Sequence, residues 1–427
     1  MTHALAMRAS GGGGRDGARA QAIEAAFAII GERGLAGLSM RDLAQAIGKS
    51  TTVIVNLFHT KAGLLSAVAQ AAMAADATFH ERFFAETAGV PLDHVTLRGV
   101  AARYVTLRAA RQATFARVWQ EFVTDAEAIA AAREELRAWA RMRAQAWSGL
   151  LSRAEGLASL APVFVQYLVM EEFYAGALAE RLDYDLLLRE TLEGLIARAL
   201  GAAPLPTPVL DWVVEGLTPP QPPGRRFEPG SMPMRLLDIA ADLIMAGGVG
   251  AVSNRAVTQA AGASVSTILY HFGDMRSFLA QAIWHSVFRQ IPAYLDWRSP
   301  LEQARPQDLD AWARLMAPTL ALAPPGAPGD AGFYVKYARL IAQICLLARR
   351  DPAFQDLALL LRGPEGGGTY ARRQAVWPPQ FELTRQSAAH FAIWIKGRAL
   401  MDAALEPADA RPLERLREAA LALASVS

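Results

Sequence analysis

The chain has 427 residues, of which 52% are hydrophobic and 20% are charged, and this balance excludes an intrinsically disordered protein. A net charge of +2 excludes a strongly basic or acidic protein, so any contact with nucleic acid must come from a local patch. Cys345 is the single cysteine of the chain, which excludes an intrachain disulfide. It lies in the apolar run LIAQICLLA, which predicts a buried core thiol.

A flexible tail, residues 1–18, is predicted at the N-terminus because of its run of glycines. The first helix is expected to begin near Arg19, since apolar residues recur at helical spacing from there. It is expected to end at Gly34, because glycine is the usual residue after a helix C-terminus.

Three further short elements follow in close succession. Ser39, with Asp42 three residues later, matches the pattern that caps the start of a second helix. Gly48 makes the next turn, after which Ser50 can cap a third helix and Thr60 a fourth. The region therefore predicts a compact bundle of short helices.

The letters IGKSTT at positions 47–52 resemble the end of a phosphate-binding loop. That motif requires a glycine five residues before the Gly-Lys pair and a strand that leads into the loop. Position 43 is Leu and the preceding segment has helical periodicity, so a nucleotide site is not predicted here.

The same pattern returns 214 residues later without a gap. The repeated positions are caps, turn glycines and apolar anchors, the residues that determine a backbone path, and such a repeat predicts two equivalent halves. The matched pairs are Gly34 and Gly248, Ser39 and Ser253, Arg41 and Arg255, Gln45 and Gln259, Gly48 and Gly262, Ser50 and Ser264, Ile54 and Ile268, and Phe58 and Phe272.

A proline-rich segment, residues 204–231, separates the copies and predicts an extended linker, in which VLDWVVEGL could dock on a domain surface. Each half continues with longer apolar helices. The closing pairs are predicted at 163–182 and 184–200 in the first half, and at 384–405 and 411–424 in the second. The segments APPGAPGDAG and RGPEGGGTYARRQAVWPPQ of the second half are predicted as loops.

Two short helices joined by a tight, glycine-containing turn form a helix-turn-helix, whose second helix enters the DNA major groove. Residues 39–56 and 253–270 fit this pattern. The stretch AIEAAFAIIGERGLAGLSMRDLAQAIGKSTTVIVNLFHTKAGLL resembles the N-terminal DNA-binding domain of the TetR family of bacterial repressors. The stretch LLDIAADLIMAGGVGAVSNRAVTQAAGASVSTILYHFGDMRSFL resembles it again and keeps the family's G-x-S and YHF letters.

The resemblance implies an all-α fold of two TetR-like halves, each a helix-turn-helix bundle followed by a larger helical domain for ligand binding and dimerisation. In the family, the last two helices pair with those of a second subunit in a four-helix bundle. Because this chain carries both units, the expected partner of each half is the other half, in an intrachain pseudo-dimer that Gly176 and Gly397 help to pack closely. The implied domains are 19–66, 67–203, 232–281 and 282–427.

Candidate DNA contacts follow from the helix-turn-helix pattern. Asn can form two hydrogen bonds to adenine, and the methyl groups of Thr and Val can contact the thymine methyl group. Arg can bind guanine or phosphate, and helix N-termini bind anions. Each type of residue also has a structural role that needs no DNA. The serines can be helix caps, the arginines can be solvated charges on a helix surface, and His271 can be a packed capping group. Lys61 matches the family's phosphate-binding lysine, whereas position 275 is Met. The candidates are Ser39, Arg41, Ser50, Thr51, Thr52, Val53, Asn56, Lys61, Arg255, Ser264, Val265, Ser266, Thr267, Tyr270 and His271.

Aromatic residues on the longer apolar helices are candidates for an effector pocket. Aromatic residues at helical spacing more often form core, but a pocket lined by them would suit an apolar or aromatic small molecule. The candidates are Tyr104, Trp119, Phe122, Trp147, Tyr334 and Tyr337.

The sequence thus predicts a cytoplasmic transcriptional repressor that binds a double-stranded, asymmetric DNA operator and responds to a small-molecule effector. No membrane segment, metal site, cofactor or catalytic site is predicted. Residues 1–65 contain seven Lys and Arg against four Asp and Glu, and residues 225–280 contain five against four. This weaker charge of the second copy leaves an alternative open, a helical ligand sensor or scaffold in which one or both units no longer bind DNA.

Overall fold

The computed structural model describes residues 14–218, 221, 223–290, 304–323, 331–405 and 411–426. The predicted glycine-rich tail up to residue 13, the prolines at 219 and 220, and most of the APPGAPGDAG loop lie outside the described residues. The chain divides into two compact units. Unit 1 comprises residues 1–81 and 111–140, and unit 2 comprises residues 82–110 and 141–427.

Helices dominate the described chain, which confirms the predicted all-α class. The first half contains α1 (Gly14–Arg33), α2 (Met40–Ala46), α3 (Thr51–Phe58), α4 (Lys61–Glu86), α5 (His94–Ala109), α6 (Thr114–Phe122), α7 (Ala126–Leu151), α8 (Ala161–Leu178) and α9 (Leu182–Ala199). The rest contains α10 (Pro208–Gly216), α11 (Met232–Gly247), α12 (Asn254–Ala261), α13 (Val265–Phe272), α14 (Met275–Gln290), α15 (Leu309–Met316), α16 (Phe333–Arg350), α17 (Gln355–Arg362), α18 (Gly367–Ala371), α19 (Arg373–Val376), α20 (Arg385–Leu405) and α21 (Pro412–Leu423). Two short strands, β1 (Phe381–Glu382) and β2 (Ser425–Val426), pair antiparallel.

The repeat seen in the sequence is also a repeat of backbone conformation. Helices α3 and α13 begin and end at positions 214 residues apart, and so do the single 3₁₀ turns Leu35–Gly37 and Val249–Ala251. Gly34 and Gly248, which precede these turns, have φ of 72° and 84°. Left-handed backbone favours glycine, so the matched glycines explain why both copies turn in the same way.

The structure differs from the sequence prediction at three places. Helix α1 begins at Gly14 rather than near Arg19, so the last residues of the predicted tail are helical. Helix α10 lies within the predicted linker, so this part of the linker is helical rather than extended. It packs on α9, as the docking expected of VLDWVVEGL allowed, and the Glu190 carboxylate accepts hydrogen bonds from the first free N–H groups of α10. Helices α18 and α19 interrupt the segment predicted as a loop after Arg362.

In unit 1, helices α2, α3 and α6 pack against α1. Among the described residues, α4 is the one helix long and apolar enough to cross a membrane by length and composition, which the sequence analysis did not foresee. It carries a buried carboxylate, Asp76, which contacts His80 at 3.1 Å and accepts a hydrogen bond from the Trp139 indole at 2.6 Å. These contacts are typical of a core helix in a helical bundle.

In unit 2, the helices that close the two halves pack against each other, with α8 against α20 as the most extensive contact. A Cβ at Gly397 of α20 would overlap the backbone carbonyl of Gln166 in α8, so the two helix backbones touch there. The His390 ring lies 2.7 Å from the Thr191 carbonyl of α9, and the Arg198 guanidinium donates to the end of α21. Gly397 therefore lies where two helix backbones approach closely. Gly176, the other glycine named from the sequence, is half-buried.

Fully buried ion pairs reinforce this packing. The Glu171 carboxylate of α8 lies 2.7 Å from the Arg362 guanidinium at the end of α17, and both side chains are 0% exposed. The Tyr184 hydroxyl donates to the Glu171 carboxylate at 3.2 Å. The neighbouring Glu172 pairs with Arg108 at 3.0 Å. Such pairs need partners on every side, because an unpaired buried charge is strongly destabilising.

Candidate nucleic-acid interface

The first helix-turn-helix lies in unit 1 and is set up by local capping. The Ser39 hydroxyl accepts a hydrogen bond from the Asp42 N–H at 3.0 Å, and the Asp42 carboxylate accepts one from that hydroxyl, as the sequence pattern predicted. Gly48 follows α2 with φ of 64°, and the Lys49 N–H donates to the Ala44 carbonyl at 2.9 Å. Together these contacts make the tight turn that leads into α3.

Helix α3 is anchored by an apolar face and presents a polar face to solvent. Its buried residues are Ile54, Leu57 and Phe58. The expected outward orientation holds for three of the four candidates, but Val53 is half-buried, because it lies between the exposed and the buried face of the helix. The exposed residues are Thr51, Thr52, Val55 and Asn56.

Cations around α3 include some that the sequence analysis did not select. The Arg15 guanidinium donates to the Asn56 carbonyl at 3.2 Å, and the Arg19 guanidinium donates to the Leu57 carbonyl at 3.0 Å. Lys49 is exposed in the turn immediately before α3. Their positive charge beside the first and last turns of α3 is the signal that could have identified them from sequence.

The remaining first-copy candidates have distinct surroundings. Ser50 occupies the N-cap position of α3, as predicted, but its side chain makes no capping hydrogen bond there. Arg41 is exposed, and no carboxylate pairs with it in the described part of the chain. The Lys61 ammonium lies 2.6 Å from the Glu127 carboxylate in an exposed ion pair, so a phosphate would have to compete with this partner.

The second helix-turn-helix, in unit 2, repeats this design with different chemistry. The Ser253 hydroxyl accepts from the Ala256 N–H at 3.1 Å, and Gly262 makes the turn with φ of 60°. The Ser264 N–H donates to the Thr267 hydroxyl at 3.4 Å, and the two hydroxyls are 3.0 Å apart. The first turn of α13 is thus joined by hydroxyl hydrogen bonds, whereas the Ser50 side chain makes no capping hydrogen bond at the start of α3.

The exposed face of α13 is more apolar than that of α3. Ile268 and Phe272 are buried, and Thr267 is half-buried rather than fully outward. The His271 ring is half-buried and packs 4.9 Å from the Tyr270 ring. The exposed residues are Val265, Ser266, Leu269 and Tyr270, of which Tyr270 is 85% exposed.

The second copy also has fewer cations available to phosphate. Arg255 is exposed, and among the described residues it has no ion-pair partner. Arg276, beside the Met275 that replaces the lysine of the first copy, pairs with Asp351 at 3.1 Å. The position that matches Lys49 is Ala263. Coulombic attraction to DNA is therefore weaker at this copy.

The effector-pocket candidates lie in packed aromatic clusters. In unit 2, Tyr104 and Trp147 are buried with their ring centroids 5.0 Å apart. In unit 1, Trp119 packs 5.0 Å from Trp139, and Phe122 is also buried. In α16, Tyr334 is buried and Tyr337 half-buried, and neither lines the cavity formed next to them by Val335, Lys336, Leu340 and Ile244. The pocket assignment stays a prediction.

Comparison with known proteins agrees with this geometry. The family model for bacterial regulatory proteins of the tetR family matches residues 22–68 and again residues 236–282, ranges that are 214 residues apart. Each match covers one helix-turn-helix with the helix before it and the start of the helix after it. No curated protein matches the chain. The two matches support a TetR-type DNA-binding regulator with two TetR-like units in tandem.

Proposed function

We propose that the chain is a cytoplasmic transcriptional repressor that acts as a single-chain pseudo-dimer on an asymmetric operator. The observation that carries this proposal is the packing of α8 and α9 on α20 and α21 within one chain. In the family, equivalent helices join two subunits. Here the two DNA-binding units already belong to one chain, so a second chain is not needed to supply a second recognition helix.

The asymmetry of the operator follows from the two exposed helix faces. A homodimer reads a palindrome because its two recognition helices are identical. Thr51 and Asn56 of α3 correspond to Val265 and Tyr270 of α13, so the two helices prefer different bases. Half-site centres about one turn of DNA apart, roughly 34 Å, are expected if the pseudo-dimer keeps the usual family spacing.

Release from DNA is proposed to follow binding of a small apolar or aromatic effector to the larger helical domains. This part of the proposal rests on the likeness to the family, because the buried rings of Tyr104 and Trp147 pack against each other. Regulators of this kind act by binding, so the proposal contains no catalytic step.

A salt titration of duplex binding tests the proposal. Counterion release makes the logarithm of the affinity fall linearly with the logarithm of the salt concentration, so a regulator must lose affinity steeply. The alternative, a helical sensor or scaffold, is favoured by the apolar face of α13 and by Met275 in place of lysine. If both units have lost DNA binding, that alternative predicts no duplex binding by the full chain even at low salt.

A further inference from the structure

The residues that line a polar cleft in unit 2 include none of the helix-turn-helix residues and none of the predicted effector aromatics. It is formed by the segment around α18, α19 and β1 and by the first residue of α20. Its volume is about 740 Å³, within the usual range for small-molecule sites. Three arginines line it, Arg305, Arg373 and Arg385, together with one carboxylate residue, Glu382.

The three guanidinium groups are held in place without being neutralised. Arg305 donates to the Trp377 carbonyl at 2.7 Å, Arg373 donates to the Tyr370 carbonyl at 2.8 Å, and Arg385 donates to a backbone carbonyl at Glu365. None of the three forms an ion pair within the described residues. A guanidinium has five N–H donors, so a single carbonyl fixes its position and leaves donors for a ligand.

A second cavity of the same unit shows the contrast. It is lined by Arg181, whose guanidinium lies 2.8 Å from the Asp183 carboxylate and 2.7 Å from the Asp356 carboxylate. In that cavity the protein supplies its own counter-charges. In the three-arginine cleft the arginines donate to backbone carbonyls. Desolvation lowers the pKa of Arg385 although the Glu365 and Asp211 carboxylates act in the opposite direction, so the charge of this arginine is only partly compensated.

We propose that the three-arginine cleft binds a small organic anion with two or more negative charges. Arginine pairs with phosphate and carboxylate through two parallel hydrogen bonds, and three such groups around one cleft favour a multiply charged ligand. The Arg373 guanidinium stacks on the Tyr370 ring at 4.0 Å, which fixes the plane of its fork. The proposal goes beyond DNA recognition, because the ligand binds whether or not an operator is present.

Isothermal titration calorimetry on the full chain without DNA, at constant ionic strength, tests this inference. Pyrophosphate is the probe for a phosphate ester and citrate the probe for a polycarboxylate. We expect saturable binding of at least one probe with one site per chain. Arg305→Gln and Arg373→Gln should each weaken it about tenfold or more, as expected for loss of hydrogen bonds to a charged group.

Two variants keep the result interpretable. Arg373→Lys keeps the charge but loses the bidentate fork, so its affinity should lie between those of the wild type and Arg373→Gln. Arg181→Gln, the same change in the self-neutralised cavity, should leave binding unaltered. The inference is overturned if neither probe binds, or if Arg181→Gln weakens binding as much as Arg373→Gln. None of these results depends on the operator proposal.

Discussion

The buried Glu171–Arg362 pair gives the sharpest test of how the two halves are held together. Glu171→Gln preserves the side-chain shape but leaves the Arg362 guanidinium buried without its carboxylate. Leaving one member of a buried pair uncompensated costs about 3–5 kcal/mol. Arg362→Met should cost a similar amount, because it leaves the Glu171 carboxylate with only hydroxyl donors such as Tyr184.

Urea unfolding followed by circular dichroism measures these costs, and the double variant decides the interpretation. Once one charge is absent, removing the other should cost little, so the double variant should be far more stable than the sum of the single losses predicts. Asp356→Asn is the matched control. It also removes a carboxylate that pairs with an arginine of the other half, but Asp356 is 85% exposed and the loss should stay within about 1 kcal/mol. Additive losses at Glu171 and Arg362 would refute the buried-pair reasoning.

Three further changes have signs that follow from the structure. Burial lowers the pKa of His390 to about 3. Between about pH 6.5 and pH 3, this imidazole therefore binds a proton in the unfolded chain but stays neutral in the folded chain. Stability should therefore fall as the pH decreases from about 6.5 towards 3, and His390→Gln should remove up to about 1.4 kcal/mol per pH unit of that slope in urea titrations. His59→Gly should stabilise unit 1 by about 1 kcal/mol or more in thermal unfolding, because His59 has φ of 62° where the second copy has glycine. Lys61→Ala should reduce the salt slope of duplex binding by about 0.9, whereas Met275→Ala should leave it unchanged.

Each of these has a result that would count against it. An unchanged acid slope in His390→Gln would show that other groups determine the pH dependence. A lower unfolding temperature for His59→Gly would mean that the imidazole contributes contacts worth more than the backbone strain. Equal effects of Lys61→Ala and Met275→Ala on the salt slope would remove the assignment of Lys61 as a phosphate contact.

Sequence reasoning predicted the repeat and its turns because these depend on local chemistry. Gly34, Ser39 and Gly48 act through their own backbone or a neighbour's, so their roles can be read from the letters. The helix bounds of both copies follow from such residues, and so does the face of α3 that carries Asn56. The cation content of each copy is likewise visible in the sequence.

Features that depend on distant residues could not be predicted in this way. The sequence allowed VLDWVVEGL to dock, but the partner of α10, the Glu190 carboxylate of another helix, could not be identified from it. The buried partner of Glu171 lies 191 residues away along the chain. The partner of Lys61, Glu127, is also non-local, which is why the lysine was expected to be available to phosphate. Burial and pairing of this kind become visible only in the folded chain.

Selection of binding sites from a random duplex pool tests the central claim most directly. The account predicts two unlike half-sites, with more sequence information in the arm read by α3, since that copy carries Lys49, Lys61 and the larger positive charge. Base changes in that arm should cost roughly 1–3 kcal/mol each. Recovery of a perfect palindrome with equal information in both arms would contradict the single-chain account and indicate ordinary dimerisation through one active copy.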